Sequence, residues 1–256
     1  MAFERRRYGC YPASKYALTT ANDRRFFAEE GRTVTMGRVA GRPFSGASSF
    51  YARRGKRICD LGLALILSPF SAVVIGLLAP TIKLKDGGPV FHKATRVGLH
   101  GAPFTMFKLR TMQVDAPDLR NPDGSTYSGP NDPRVTHLGN FLRKTSLDEL
   151  PQVFNVFRGD MSFVGPRPDL IEQAMYYDDL TRKKLTVRPG VTGYNQAYFR
   201  NSIPWSERLG NDVFYARNVS VLFDLRILLR TFVSLVTPVG IARVHQTSRG
   251  DSNVAT

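Results

Sequence analysis

From Leu61 to Ile82 the chain runs for 22 residues without a charge, LGLALILSPFSAVVIGLLAPTI. A straight helix rises ~1.5 Å per residue, so this run matches a hydrocarbon core of ~30 Å. It is read first as a membrane segment; the alternative is a buried core helix. Two details argue against a simple crossing. Pro69 cannot donate to the carbonyl of Leu65 and its ring clashes there, so the helix should kink or break at Ser68-Pro69. The freed carbonyl needs a partner in lipid, and the Ser68 hydroxyl is the local candidate. Both flanks are also basic, with Arg53, Arg54, Lys56 and Arg57 before the run and Lys83 and Lys85 after it. Lys and Arg accumulate on the cytoplasmic side, so both ends favour the same side. The expectation is a re-entrant helix-break-helix over residues 53–85.

The rest of the chain is strongly basic. Lys and Arg number 36 against 21 Asp and Glu, a net charge of +15. That balance implies an anionic partner: nucleic acid, an anionic membrane surface or a phosphorylated substrate. Cys10 and Cys59 lie far apart, which excludes a disulfide framework or a Cys-x-x-Cys metal pair and points to a reducing compartment. Residues 1–52 show no sustained period and no apolar leader, and read as a basic, disordered arm. The tail, 237–256, reads as loose and polar.

Between these ends, residues 86–236 carry the chemistry. Pro103 to Met112 alternates like a strand and would project Lys108 and Arg110 from one face, a fair diphosphate clamp or a solvated face. Residues 113–133 are rich in Asn, Asp, Pro and Gly and read as a loop or lid. Leu138 to Lys144 reads as a short helix ending in cations, among them Arg143. Then comes KTSLDELPQVFNVFRGDMSFVGPRPD, Lys144 to Asp169. It holds adjacent carboxylates, Asp148 and Glu149, and an arginine, Arg167, between two prolines. Ser146 and Glu149 have capping-box spacing. Pro151 fits better as the first residue of a following helix, which would leave both acids at its N-terminus, where the dipole favours ionisation. A carboxylate of low pKa can attack phosphorus, and such a pair can help to hold Mg²⁺. Leu170 to Lys184 reads as one helix, Arg188 to Gly193 as a turn presenting Arg188, and Val219 to Val236 as an apolar helix, core or interfacial, whose Asp224, Arg226 and Arg230 make a crossing costly. Tyr194, Tyr198, Phe199 and Trp205 are read as interfacial or core.

Taken together, these segments resemble the bacterial sugar transferases, the small monotopic phosphoglycosyl transferases. The likeness rests on KR-x-x-D (Lys56–Asp60), Ser68-Pro69, GPVF (Gly88–Phe91), RVG (Arg96–Gly98), FKLRTM (Phe107–Met112) and NDPRVT (Asn131–Thr136). It continues through LRKTSLDELPQ-x-x-NV-x-x-GDMS-x-VGPRP (Leu142–Pro168), RPGVTG (Arg188–Gly193) and the acidic end near Asp224. One departure is Ala94, where the family usually has Gln or His; His92 and Lys93 stand nearby. The resemblance implies an α+β fold: a monotopic membrane protein with a re-entrant helix, a small strand element and interfacial amphipathic helices. It implies transfer of a hexose-1-phosphate from a UDP-hexose to polyprenyl (undecaprenyl) phosphate with release of UMP. Asp148 would carry the covalent phosphosugar, Glu149 would be the partner of Mg²⁺, and Lys108, Arg110, Arg143, Arg167 and Arg188 would meet phosphate. The place implied is the cytoplasmic leaflet of a bacterial inner membrane, in contact with its lipid, at the first membrane step of exopolysaccharide synthesis. No nucleic-acid module is recognisable, and homo-oligomerisation is left open. The competing expectation is a membrane-anchored basic scaffold, without catalysis, for nucleic acid or a polysaccharide-synthesis complex.

Overall fold

The apolar run forms helix α1, Lys56–Asp86, in a computed structural model of the chain. Structure is described for residues 50–119, 127, 132–199 and 203–236. Nearly all of the expected basic arm, the polar tail and the middle of the 113–133 loop lie outside those residues. A turn of π-helix, Tyr51–Gly55, leads into α1. Gly87 ends it in the left-handed region (φ 70°), donating its N–H to the Lys83 carbonyl (3.0 Å), a common glycine stop.

The expected break at Ser68-Pro69 takes a different form. Both Pro69 and Pro80 lie inside one unbroken helical run. The Ser68 hydroxyl donates to the Leu65 carbonyl (3.1 Å), the group that Pro69 leaves without its amide. Lys56, Asp60, Ala64, Ser71, Ile75 and Ile82 are buried. At ~100° per residue these positions share one stripe running the length of the helix. The other side exposes Ile58, Leu65, Ile66, Phe70, Val73, Leu77 and Leu84. Ala64 joins a core cluster with Met106, Val156, Met161, Tyr215 and Ile227. Ile75 and Ile82 join a second cluster with Leu109 and Leu142. Both halves of α1 therefore pack on the same body.

That body is built around short strands. β1 (Phe91–Val97) pairs antiparallel with β2 (Pro103–Leu109), with His92 opposite Lys108 and Ala94 opposite Met106. Helix α2 (His137–Lys144) starts at Thr136, whose hydroxyl accepts from the Gly139 amide (2.9 Å), and helix α3 spans Gln152–Arg158. β3 (Ser162–Val164) pairs parallel with β4 (Gly190–Thr192). The remaining helices are α4 (Ile171–Ala174), α5 (Tyr194–Tyr198), α6 (Trp205–Arg217) and α7 (Val221–Val236). The fold is mixed helix and small sheet.

Two local expectations are corrected. Residues 170–184 are not one helix: α4 stops at Ala174 and a 3-10 segment covers Thr181–Thr186. Asp178 accepts from the Thr181 amide (2.7 Å), a side-chain bond that competes with helical continuation, while Tyr177 and Lys184 both fold back onto Asp169. Residues 188–193 are not a free turn either. They lead into β4, and Gly190 donates to the Pro166 carbonyl (2.9 Å), so the segment is pinned against the Gly165–Pro168 corner. Tyr194 and Tyr198 are half-buried and pack against the core cluster, and Tyr194 touches Tyr198, Phe199, Phe214 and Phe223.

α7 is tied to the start of α1 through Asp224. This buried carboxylate accepts from Lys56 Nζ (2.5 Å), Tyr51 (2.8 Å) and Tyr215 (2.7 Å). That accounts for an acid in an apolar helix: it faces the body, while Val221, Leu222, Leu225, Leu229, Phe232 and Val233 face outward.

Candidate active site at the Asp148–Glu149 pair

The two carboxylates lie in a tight corner between α2 and α3. Ser146 takes the left-handed conformation (φ 57°), and a 3-10 turn, Leu147–Glu149, follows. The capping box suggested by Ser146 and Glu149 does not form, because Ser146 makes no side-chain cap bond in that conformation. Pro151, with φ −62°, stands just ahead of α3 and directs the chain into it, one residue earlier than expected.

The corner gives the adjacent acids different surroundings. Glu149 accepts from Lys108 Nζ (2.6 Å). Burial alone would raise its pKa; Lys108 above all, with Arg167 and the nearby Gln152 side chain, overrides that and holds it below the ordinary glutamate value. Asp148 is 8% exposed and makes no hydrogen bond among the described residues; its nearest cation is Lys108, at 3.9 Å. Burial pushes its pKa up, Lys108 opposes this, Glu149 adds to it, and Arg143 and Arg167 pull it down. Lys108 and Arg167, not the helix terminus, lower the Glu149 pKa, and the expected favouring of ionisation is corrected for Asp148. Desolvation is the larger effect there, because the side chain is enclosed and no described residue donates to it.

The predicted cations divide into two groups. Lys108, near the end of β2, touches both acids. Arg143, in the last turn of α2, donates to the Thr111 hydroxyl (2.9 Å), and its charge acts on Asp148. Arg167 is exposed between buried Pro166 and Pro168, and its charge acts on both acids. Gly165 fixes that corner: a Cβ there would sit 2.4 Å from the Arg188 carbonyl oxygen. Arg110 and Arg188 lie elsewhere. Arg110 continues the ladder one pair beyond β2, its N–H donating to the Val90 carbonyl (2.9 Å), and its guanidinium donates to the Ile82 carbonyl (3.1 Å) at the end of α1 rather than to the acids. Arg188 donates to the Gly159 carbonyl (2.9 Å) at the far end of α3, about 10 Å of helix away from the acids.

Three contributors were not anticipated. Buried Gln152, in the first turn of α3, acts to lower the Glu149 pKa; its spacing of three from Glu149 was the available signal. His92 lies across from Lys108, and burial together with Arg96, Lys108 and Arg143 lowers its pKa. Asp132 grips Arg134 with both oxygens (2.9 and 2.7 Å), and its charge also reaches Arg143.

A divalent cation fits this donor set in one way. Among the described residues no group of three or more His, Cys, Asp or Glu converges, so an all-protein cage is not available. Two adjacent carboxylates suit Mg²⁺, which binds through one or two carboxylates and keeps positions for substrate phosphates.

An exposed cation, a buried carboxylate with no hydrogen bond among the described residues and a bonded one stand together at this corner. The family profile described as Bacterial sugar transferase matches residues 51–238. The chain belongs to that family. It is 40% identical over 190 residues to a Bacillus subtilis protein named uncharacterized sugar transferase EpsL, covering 74% of this chain and 91% of that one. It is 40% identical over 192 residues to a Caulobacter vibrioides protein named UDP-glucose:undecaprenyl-phosphate glucose-1-phosphate transferase, covering 71% and 70% respectively. A Salmonella typhimurium undecaprenyl-phosphate galactose phosphotransferase is 35% identical over 196 residues, covering 72% of this chain but only 40% of that longer protein. In this sugar transferase the matched region takes in both α1 and the acid pair.

Proposed function

We propose that the protein is a phosphoglycosyl transferase that moves hexose-1-phosphate from a UDP-hexose to undecaprenyl phosphate through a covalent intermediate on Asp148. The observation that carries this reading is the unlike pair: Asp148 is buried and makes no hydrogen bond among the described residues, while Glu149 is bonded by Lys108 and held below the ordinary glutamate value. A carboxylate without hydrogen-bond donors keeps its lone pairs available for attack.

In the first half-reaction an Asp148 oxygen attacks the sugar-bearing β-phosphorus. The bond from that phosphorus to the bridging oxygen breaks, and UMP leaves with the electron pair. In the second, an undecaprenyl phosphate oxygen attacks the same phosphorus, the acyl phosphate bond breaks, and the Asp148 carboxylate returns as lipid diphosphate sugar departs. Lys108, Arg143 and Arg167 neutralise charge accumulating on the phosphoryl oxygens. Arg167, exposed and fixed between prolines, is suited to bidentate phosphate contact. Asp148 and Glu149 would hold Mg²⁺, which supplies further charge neutralisation on the diphosphate.

The location follows from α1. Its buried stripe from Lys56 to Ile82 keeps both halves against one body while its outer side is apolar. A helix crossing straight through a bilayer would leave that body after a few turns. We therefore read α1 as re-entrant, entering and leaving one leaflet, with the site on the cytoplasmic face of the inner membrane. Undecaprenyl phosphate would present its head group there.

The test is UMP release by the full chain in nanodiscs with a panel of UDP-hexoses, with and without undecaprenyl phosphate and Mg²⁺. Asp148→Asn should abolish both turnover and retention of labelled phosphosugar on the protein. Normal turnover by that variant would overturn the covalent role. Binding of nucleic acid without UMP release would favour the scaffold reading.

A further inference from the structure

The NDPRVT segment has no part in the chemistry above, yet it leads to one of the arginines of the site. Arg134, paired with Asp132, also donates to the carbonyls of Pro117 (3.0 Å) and Tyr127 (3.0 Å). The chain then zips onto the residues that follow β2. Gln113 donates its N–H to the Arg134 carbonyl (2.9 Å), Thr136 donates to the Thr111 carbonyl (3.0 Å), and Met112 and Val135 form an antiparallel bridge. Thr136 also caps α2, so the start of that helix is fastened to Thr111.

Helix geometry decides what the fastening brings together. Thr136, Gly139 and Arg143 are three and four residues apart and share one face of α2. Gly139 leaves that face open: a Cβ there would lie 1.9 Å from the Thr111 carbonyl oxygen. Thr111 is buried against it. Side chains on a helix lean toward its N-terminus, so Arg143 reaches back over Gly139. Its Nε donates to Thr111 Oγ1 (2.9 Å), and its Nη atoms make no hydrogen bond among the described residues. The guanidinium is planar with its donors in a rigid fork, so holding Nε sets the direction of the rest.

We propose that Thr111 is the positioning residue for Arg143: its hydroxyl, fixed by Thr136 and by the open face at Gly139, orients the guanidinium so that the Nη edge meets an oxygen on the phosphorus that Asp148 attacks. Thr111 itself touches no reacting atom. The role rests on the transferase reading for the reaction it serves.

The experiment uses the full chain in nanodiscs. Thr111→Val keeps the shape of the side chain and removes the hydroxyl, whereas Thr111→Ser keeps the hydroxyl. In UMP release, Thr111→Val should lower kcat by about ten- to a hundredfold with KM for the UDP-hexose changed by less than about threefold, and Thr111→Ser should stay within about threefold of wild type. In an Arg143→Gln background Thr111→Val should cost less than about twofold, because it acts through the arginine. A second readout is independent of turnover: water exchange of the Arg143 Nε–H, followed by NMR of ¹⁵N-arginine protein and assigned with Arg143→Gln. That proton should exchange slowly in wild type and Thr111→Ser, and about tenfold faster or more in Thr111→Val. An equal loss of kcat in both backgrounds, a loss that serine does not rescue, a change in KM alone, or an Nε–H exchange unmoved by Thr111→Val would overturn the proposal. Should Thr111→Val not fold, Thr111→Ala replaces it in the same comparisons. Wild-type protein without UMP release, with Arg143 exchange still dependent on the Thr111 hydroxyl, would refute the transferase reading and leave the positioning of Arg143 standing.

Discussion

Asp224→Asn tests how α1 is held to the body. The wild-type carboxylate uses both oxygens: Oδ2 accepts from Lys56 and Tyr51, and Oδ1 accepts from Tyr215. Asparagine removes the charge and replaces one acceptor with a donor, so either Tyr215 or the Lys56/Tyr51 side loses its partner. The side chains of Lys56 and Asp224 are only 10% and 6% exposed, so solvent compensates little. Breaking a buried pair from one side costs about 3–5 kcal/mol, mostly for the ammonium left behind. Replacing both partners, Lys56→Met with Asp224→Leu, removes the stranded charge and should recover a large part of that loss. The two single changes should therefore be strongly non-additive. Trp205 is the single tryptophan and gives a fluorescence signal for denaturant unfolding in nanodiscs. A cost below about 1 kcal/mol for Asp224→Asn, or simple additivity, would mean that the Asp224 network does not hold α1 to α7.

Three further outcomes are expected. Asp212 is pushed up to about 6, chiefly by burial and against the pull of Lys184. A raised carboxylate stabilises the fold when protonated, so its contribution is present below about pH 4 and is lost as pH rises towards 6, by roughly 3 kcal/mol. Asp212→Asn should abolish that slope in unfolding curves, and an unchanged slope would refute the assignment. Lys108→Gln should lower kcat/KM for UMP release by about 10²–10³, since it removes the cation nearest both acids; a loss of less than tenfold would exclude it from the site. Single cysteines at Arg53 and Lys85, in a Cys10→Ser/Cys59→Ser background, should react from the same side of sealed vesicles, whereas labelling from opposite sides would refute the re-entrant reading.

Much of this arrangement was legible because it depends on residues close in sequence. The acid pair, the proline-framed Arg167 and the unaccompanied Leu65 carbonyl are each set by covalent geometry within a few positions. The serine that meets that carbonyl was visible for the same reason. What failed depended on where elements end and what they meet. Strand alternation puts Arg110 on the face of Lys108, and the ladder does continue through its amide to the Val90 carbonyl, but its guanidinium meets the Ile82 carbonyl at the end of α1, a contact that alternation does not encode. Arg188 was read as presented from a turn, whereas strand pairing at Gly190 directs it to the carbonyl of Gly159. The 170–184 helix was lost to Asp169 and Asp178, whose side-chain bonds to distant or local partners are not encoded in periodicity.

The acid pair shows the same division at closer range. Adjacent carboxylates on a chain have nearly equal intrinsic acidity, and a helix dipole acts on both in the same direction. Their difference comes from outside the turn: Lys108 arrives from β2 and bonds Glu149 at 2.6 Å, but stands 3.9 Å from Asp148 and forms no hydrogen bond with it. Enclosure then acts on the residue left without donors and raises its pKa. A fold that brought the same two acids together without β2 docked against α3 would leave them chemically alike. On the transferase reading, the docking of β2 on α3 is what separates a nucleophile from its ionised neighbour.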